Sequence, residues 1–385
     1  MGNIPYGKQL INAQDIEVVG KVLKTDWISQ GPKIREFENA LCGYTGVKYA
    51  VVVSSGTAAL HLACLAAGIK QGDEVITTPM SFVASANCIL YCGAKPIFAD
   101  IQSGIANIDP QKIAKELNNR TKGIIPVHFA GTSCDMEAIR QISKRKHLLV
   151  IEDAAHALGA TYKGVKVGSC KYSDMTVFSF HPTKSITTGE GGAILTNQKD
   201  LYERLLLLRN HGIAKDFKRS NVNVRPWYYE MKILGFNYRI TDFQAALGVS
   251  QLDKISKFIA RRVEIAKLYD KAFQNTEWLK VLQIGERDGS SCHIYVVLID
   301  FRKIQKTRGE VMNYLKRHGI GTQVHYIPIY RHPFYRKLFA YRICDYPESE
   351  KYYVSALTLP LHPGVKKADL DLVIKKILSL SKERI

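Results

Sequence analysis

Lys184 stands in S-F-H-P-T-K-S-I-T-T-G-E-G-G-A, just after an apolar run and just before Gly189, Gly191 and Gly192. A lysine kept in a low-dielectric place loses its proton more readily and can condense with a carbonyl as a Schiff base. The glycines let backbone crowd against a ligand, and they serve equally well in a tight turn into the next strand. They do not form the dinucleotide fingerprint G-x-G-x-x-G, because position 194 is Ile194, and no Walker sequence occurs. Asp153 closes the run HLLVIEDAAH. It reads either as the polar stop of a buried strand or as the partner of a cationic ligand group such as a protonated pyridine nitrogen, which would make the ring an electron sink. His156 could reach over the same ligand or sit as a satisfied core histidine. Ser55-Gly56-Thr57 lies between a strand and a helix, where free N–H groups and the helix dipole make a phosphate site. The same triplet also works as an ordinary helix cap. Ser179, in VFSF, could add a hydroxyl there. Lysine, carboxylate and phosphate cradle together meet the needs of pyridoxal phosphate.

These groups need a scaffold that brings strand ends together. YAVVVS (49–54), EVITT (74–78), KPIFADI (95–101), KGIIPVHF (122–129), HLLVIED (147–153), MTVFSF (175–180) and GGAILTN (191–197) read as strands. Helical periods fit between several of them, as at 82–91 and 136–144. Strand and helix in alternation predict an α/β fold with a large, mostly parallel sheet whose ligands sit beyond the carboxyl ends of the strands. Thr241 and Gln244 predict a capping box opening a helix that runs on through Lys267. A strand at 292–300 and helices at 311–321 and 369–381 point to a smaller C-terminal α+β domain. The expected division is an N-terminal arm at 1–12, a large cofactor domain at 13–245 and a small domain at 246–385.

The chain has 385 residues, 46% of them apolar and 23% charged, which fits a globular protein with two domains rather than a disordered one. Lys and Arg exceed Asp and Glu by 54 to 35, a formal charge of +19 that suits an anionic partner. The most apolar stretch, 50–68, is broken by Ser54-Ser55-Gly56-Thr57 and His61, so no membrane span is expected. No secretory signal is read at MGNIPYGKQL, and the expected compartment is the cytoplasm. Eight cysteines are scattered without a Cys-x-x-Cys pair, so no metal site is expected. Cys344 has no neighbours that mark a reactive thiol. Arg204, Arg209, Lys215, Lys218, Arg219 and Arg225 form a basic run. It leaves a nucleic-acid-binding or regulatory protein as a distant alternative, although no recognition motif accompanies it.

S-S-G-T-A-A-L, I-E-D-A-A-H-A-L-G-A, F-S-F-H-P-T-K-x-I-T-T-G-E-G-G-A, G-F-N-Y-R and L-T-L-P-L-H-P occur in this order over nearly the whole chain. In this the sequence resembles the sugar-nucleotide aminotransferases of the DegT/DnrJ/EryC1/StrS group. The resemblance implies the aspartate aminotransferase-like fold (fold type I), pyridoxal phosphate as cofactor, and homodimers with shared active sites. It implies Lys184 as the lysine that holds the cofactor, Asp153 as the partner of its ring nitrogen, and Thr57 and Ser179 as phosphate ligands, with Gly56 lending backbone. Phe82 would stack on the ring, and Asn237 would reach the phosphate from the other subunit. Where many members have Gln, this chain has His156, near the expected place of the cofactor's phenolic oxygen. Lys184 argues against the dehydratase branch, which has His there. T-P-M-S-F-V-A-S-A-N and Q-V-H-Y-I-P-I-Y-R are similar to the branch serving pseudaminic acid biosynthesis. That branch implies a UDP-linked 2-acetamido-2,6-dideoxy-4-keto-L-hexose as acceptor and L-glutamate as donor. Tyr6, the segment Asp26, Trp27, Ile28 and Ser29, and His325 with Tyr326 would then lie against the UDP-sugar, while Trp27 and Tyr326 fit an interface or a core equally well.

Overall fold

The computed structural model describes residues 3–214, 227–282 and 287–382. Helices α1 (Ala13–Val22) and α2 (Pro32–Thr45) lead into β1 (Tyr49–Val53), α3 (Gly56–Ala66), β2 (Glu74–Thr77), α4 (Ala84–Tyr91), β3 (Lys95–Phe98), α5 (Pro110–Glu116), β4 (Thr121–Ile125), α6 (Met136–Lys146) and β5 (Leu149–Asp153). A small hairpin, β6 (Thr161–Tyr162) and β7 (Val165–Lys166), precedes β8 (Met175–Ser179), β9 (Gly192–Thr196) and α7 (Lys199–Arg209). The ribbon β10 (Ile213–Ala214) and β11 (Glu230–Met231) comes next, then α8 (Asp242–Leu252) and α9 (Ile255–Phe273). The chain ends with β12 (Leu279–Val281), β13 (Tyr295–Ile299), α10 (Arg308–Arg317), α11 (Pro333–Leu338), α12 (Pro347–Ser355), β14 (Ala356–Leu359) and α13 (Lys367–Leu378).

The large sheet has the order β1-β9-β8-β5-β4-β2-β3. β8, β5, β4, β2 and β3 run parallel, and β9 is antiparallel to both its neighbours, so β9 alone is reversed. Its strands are apolar in near-continuous runs because helices cover both faces. α3 is buried almost all round, which its sequence GTAALHLACLA permits. A three-stranded antiparallel sheet, β12-β13-β14, carries a second core with α13 and the C-terminal half of α9. α9 spans the two: Ile255 and Phe258 lie in the core of the large sheet, while Ile265, Tyr269 and Phe273 lie in the other.

Three local expectations change. The strand expected over 122–129 stops at Ile125, because Pro126 has no N–H to continue the ladder. The strand expected over 95–101 ends at Phe98, and Asp100 instead accepts hydrogen bonds from Ser349 N–H and Oγ at 3.0 and 2.6 Å. The helix expected to continue from Thr241 to Lys267 is two helices, broken at 253–254, and the second reaches Phe273. Ser250, Gln251 and Lys254 all bond to the buried Asp15 at 2.5–2.8 Å, which ties the end of α8 to α1. α9 then runs on into the second core. The capping box is present: Gln244 Oε1 accepts the Thr241 backbone N–H at 3.1 Å.

No described helix is long and apolar enough to cross a membrane, and no cluster of metal-ligating side chains occurs among the described residues. Of the basic run, Lys215, Lys218, Arg219 and Arg225 lie outside the described residues, and Arg209 donates to Glu38 at 2.7 Å and to the Val52 carbonyl at 2.9 Å.

Candidate active site

The carboxyl ends of β1, β5 and β8, the turns after β2 and β4, and the entry to the reversed β9 meet at one cavity of about 690 Å³. That size suits a small organic ligand. Gly56, Thr57, Phe82, Asp153, His156, Ser179 and Lys184 all line it on the large-sheet side. Tyr6, His293, His325 and Tyr326 line the opposite wall.

The Lys184 loop is stapled by its own threonines. Thr187 Oγ1 and the Thr188 N–H both donate to the Phe180 carbonyl at 3.0 Å, and the Gly189 N–H donates to Thr187 Oγ1 at 2.9 Å. Gln244 Nε2 of α8 donates to the Glu190 carbonyl at 2.9 Å, which anchors the loop to the capped helix. Glycine is required where this loop meets the β1–α3 junction: a Cβ on Gly192 would stand 2.5 Å from the Ser55 carbonyl oxygen, and one on Gly56 would stand 2.8 Å from Ser179 Cβ. Burial pushes the Lys184 ammonium down to about 8 against the opposing pull of Asp153, so the neutral amine is a minor but much enlarged fraction near physiological pH.

Ser55 caps α3 by accepting the Ala58 N–H at 3.0 Å, and the first intrahelical bond is Ala59 N–H to Ser55 O at 3.0 Å. The N–H groups of Gly56 and Thr57 are therefore left without an intrahelical partner, next to the hydroxyls of Thr57 and Ser179. This is an anion cradle at the positive end of a helix dipole.

Asp153 ends β5, and strand alternation turns it to the cavity face while Glu152 faces the other side. Its Oδ2 accepts from Ser85 Oγ at 2.6 Å and its Oδ1 from the Ala155 N–H at 3.1 Å. His156 Nε2 and the Tyr326 hydroxyl are hydrogen-bonded at 3.1 Å. The His156 and His293 rings lie 4.2 Å apart, and the Nδ1 atom of each is buried without a hydrogen-bond partner. Burial, and then the nearby Lys184 and His325, hold His156 well below the usual imidazole range; burial and then Lys184 push His325 down to about 3. Phe82 is exposed to the cavity, its ring 6.3 Å from that of Tyr326. His293 is set by the buried Arg262, which donates to the His293 and Leu361 carbonyls at 2.9 Å.

These groups fit pyridoxal phosphate. The cradle takes a phosphate, the partly neutral lysine takes a carbonyl, and a carboxylate with two donors behind it faces the same space as an aromatic plate. The remaining expected residues lie elsewhere. Asp26, Trp27, Ile28, Ser29 and Asn237 are exposed and do not line the cavity of their own chain. Ser29 bridges Thr241, the Ile28 carbonyl accepts the Asp242 N–H at 3.0 Å, and Asn237 bridges Asn210. The first segment thus lies against the start of α8, and Asn237 against the end of α7. Ser81, Ser85 and His293 line the cavity outside the motifs above; the i, i+4 pair of serines in S-F-V-A-S is a local signal for the first two, and His293, inside an apolar strand run, carries none. Cys344 is exposed and apart from the cavity.

A model of the DegT/DnrJ/EryC1/StrS aminotransferase family matches residues 9–378. The spore coat polysaccharide biosynthesis protein SpsC of Bacillus subtilis is 41% identical over 380 residues, which cover 98% of this chain and 97% of that protein. A UDP-4-amino-4,6-dideoxy-N-acetyl-beta-L-altrosamine transaminase of Campylobacter jejuni is 40% identical over 380 residues, again 98% and 97% of the two chains. Among solved structures, Helicobacter pylori PseC, an aminotransferase of pseudaminic acid biosynthesis, superposes with a TM-score of 0.92 at 34% identity, covering 99% of each chain.

Proposed function

The chain belongs to the DegT/DnrJ/EryC1/StrS aminotransferase family and is a pyridoxal-phosphate-dependent sugar aminotransferase, and from that premise we propose that it moves the amino group of L-glutamate to C4 of a UDP-linked 2-acetamido-2,6-dideoxy-4-keto-L-hexose. The observation that carries the reading is the convergence of Lys184, Asp153 and the Gly56–Thr57–Ser179 cradle on one cavity. The choice of sugar is supported by the likeness to the Campylobacter transaminase and to PseC.

When bound, pyridoxal phosphate supplies an electrophilic carbon and a ring that accepts the electrons of the bond being broken. Lys184 Nζ takes the α-proton of glutamate, which its partly neutral state allows, and later delivers a proton to sugar C4 from the face it occupies. That single face sets the configuration of the new amine. Asp153 keeps negative charge beside the ring nitrogen. The Gly56 and Thr57 N–H groups and the Thr57 and Ser179 hydroxyls would hold the phosphate, Phe82 would cover the ring, and His156, held neutral, would offer its unpartnered Nδ1. Tyr6, His325 and Tyr326, which also line the cavity, would face the sugar. Asp26–Ser29, beside the start of α8, and Asn237, bridged to Asn210 after α7, are exposed and do not line their own chain's cavity, which supports a homodimer in which each copy lends these segments to the other's cavity.

The test adds glutamate to the yellow holoenzyme and then supplies, separately, the two C5-epimeric UDP-4-keto sugars. Loss of the visible band with glutamate and its return with the L-epimer, under ping-pong kinetics, is the expected result. Preference for the D-epimer overturns the choice of sugar and leaves the aminotransferase standing. The near-equal identity to SpsC favours a second reading, an aminotransferase acting on a different nucleotide-linked keto sugar; turnover of neither epimer would favour it.

A further inference from the structure

The turn after β2 and the start of α4 line the cavity continuously from Ser81 to Ser85, and Ser81, Phe82 and Ser85 are its polar and aromatic groups. Ser85 is 1% exposed and Ser81 4% exposed, so neither hydroxyl is there for water. Ser85 Oγ donates to Asp153 Oδ2 at 2.6 Å, and the Ser81 and Ser85 hydroxyl oxygens are 2.7 Å apart. A serine has one O–H to donate. With that of Ser85 committed to Asp153, Ser81 is the donor of the second bond, and the chain runs Ser81 to Ser85 to Asp153. Each link polarises the next, so the bond reaching the carboxylate is stronger than an isolated hydroxyl would make. The Ala155 N–H occupies the other carboxylate oxygen at 3.1 Å, and the two donors together fix the plane in which Asp153 presents its remaining lone pairs.

We propose that Ser85, polarised by Ser81, is a positioning residue for Asp153, holding its charge and orientation so that the cofactor's ring nitrogen keeps its proton during turnover. The proposal rests on the reading of Asp153 as the ring-nitrogen partner. Because Phe82 sits between the two serines, the same short turn that covers one face of the ring also sets the electronics of its nitrogen.

The test loads wild-type, Asp153→Asn, Ser85→Ala, Ser85→Thr and Ser81→Ala apoenzymes with ¹⁵N-labelled pyridoxal phosphate and follows the ring-nitrogen chemical shift with pH. Wild type is expected to hold the nitrogen protonated, and Asp153→Asn to release it. Ser85→Ala should move the ring-nitrogen signal toward its unprotonated value below the deprotonation step, because a carboxylate that has lost its donor binds a proton more strongly, is freer to turn, and competes with the ring nitrogen for the shared proton. Ser85→Thr should restore it, and Ser81→Ala should shift it less, with thermal midpoints unchanged. If Asp153→Asn releases the proton while Ser85→Ala titrates as wild type, the role of Ser85 is overturned and that of Asp153 stands. If Asp153→Asn leaves the nitrogen protonated, the underlying reading fails and this one with it. Should Ser85→Ala not take up cofactor, Ser85→Cys, which keeps the volume and weakens the donor, is read against the same criterion.

Discussion

Glu152 and Asp153 are consecutive carboxylates at the end of one strand, and the sheet turns them to opposite fates. Glu152 is sealed. Its Oε2 accepts from His128 Nε2 at 2.6 Å, and its Oε1 accepts from Thr176 Oγ1 at 2.9 Å and from Ser173 Oγ. Burial alone would raise it, but His128, Ser173 and Thr176 hold its carboxyl below the usual range. Asp153 has two donors behind it and faces open space filled by no side chain. Glu152 accepts three side-chain donors inside the sheet's far face, whereas Asp153 accepts two and lines the cavity.

That contrast can be broken by substitution. The largest effect belongs to the cavity side: Lys184→Ala should lose the visible band of bound cofactor and about 10⁴-fold or more of turnover, with no loss of thermal stability. A variant of normal activity would remove Lys184 from the chemistry. Asp153→Asn should cost about 10²–10⁴-fold in kcat while the denaturation midpoint stays put. Glu152→Gln should do the reverse, losing about 1–3 kcal/mol of stability in urea titrations while the assembled enzyme keeps much of its kcat. If the two variants exchange these phenotypes, the distinction between the two faces is wrong.

A smaller effect follows from pH. Lys184, depressed to about 8, should make the rate of cofactor uptake by apoenzyme rise through pH 8, seen as growth of the visible band. His325, held near 3, works on stability. Below about pH 6.5 the unfolded chain takes up a proton that the folded chain refuses until about pH 3, so its contribution is present above 6.5 and lost as pH falls through that window. His325→Gln should make the acid limb of the stability profile shallower by one proton, and an unchanged slope would contradict the burial argument. The smallest effect is expected at the cradle, where Ser179→Ala should weaken cofactor binding by about five-fold, the worth of roughly one net hydrogen bond, measured by equilibrium dialysis.

Much of the cavity's large-sheet wall was legible because its signals are local. A β-branched run ending in Asp153, a strand-to-helix junction at Ser55–Thr57 and a threonine-stapled turn after Ser179 each encode their geometry within a few residues. The opposite wall was not legible from periodicity or spacing. His293 and His325 come from the region of the second sheet, more than a hundred residues from Lys184, and reach the cavity only because α9 and the buried Arg262 bring that sheet across. The break at 253–254 lies where Ser250, Gln251 and Lys254 bond to Asp15, a partner distant in sequence and adjacent in space.

By itself, then, the sequence determined the alternation of strand and helix, the polar groups at strand ends and the turns that expose them, since these follow from backbone sterics and side-chain periods over a few residues. Tertiary structure decided which of those groups meet, which carboxylate is sealed and which left open, and how far burial depresses Lys184 and the histidines. Desolvation depends on every element that closes over a site, and no local stretch of sequence contains that information.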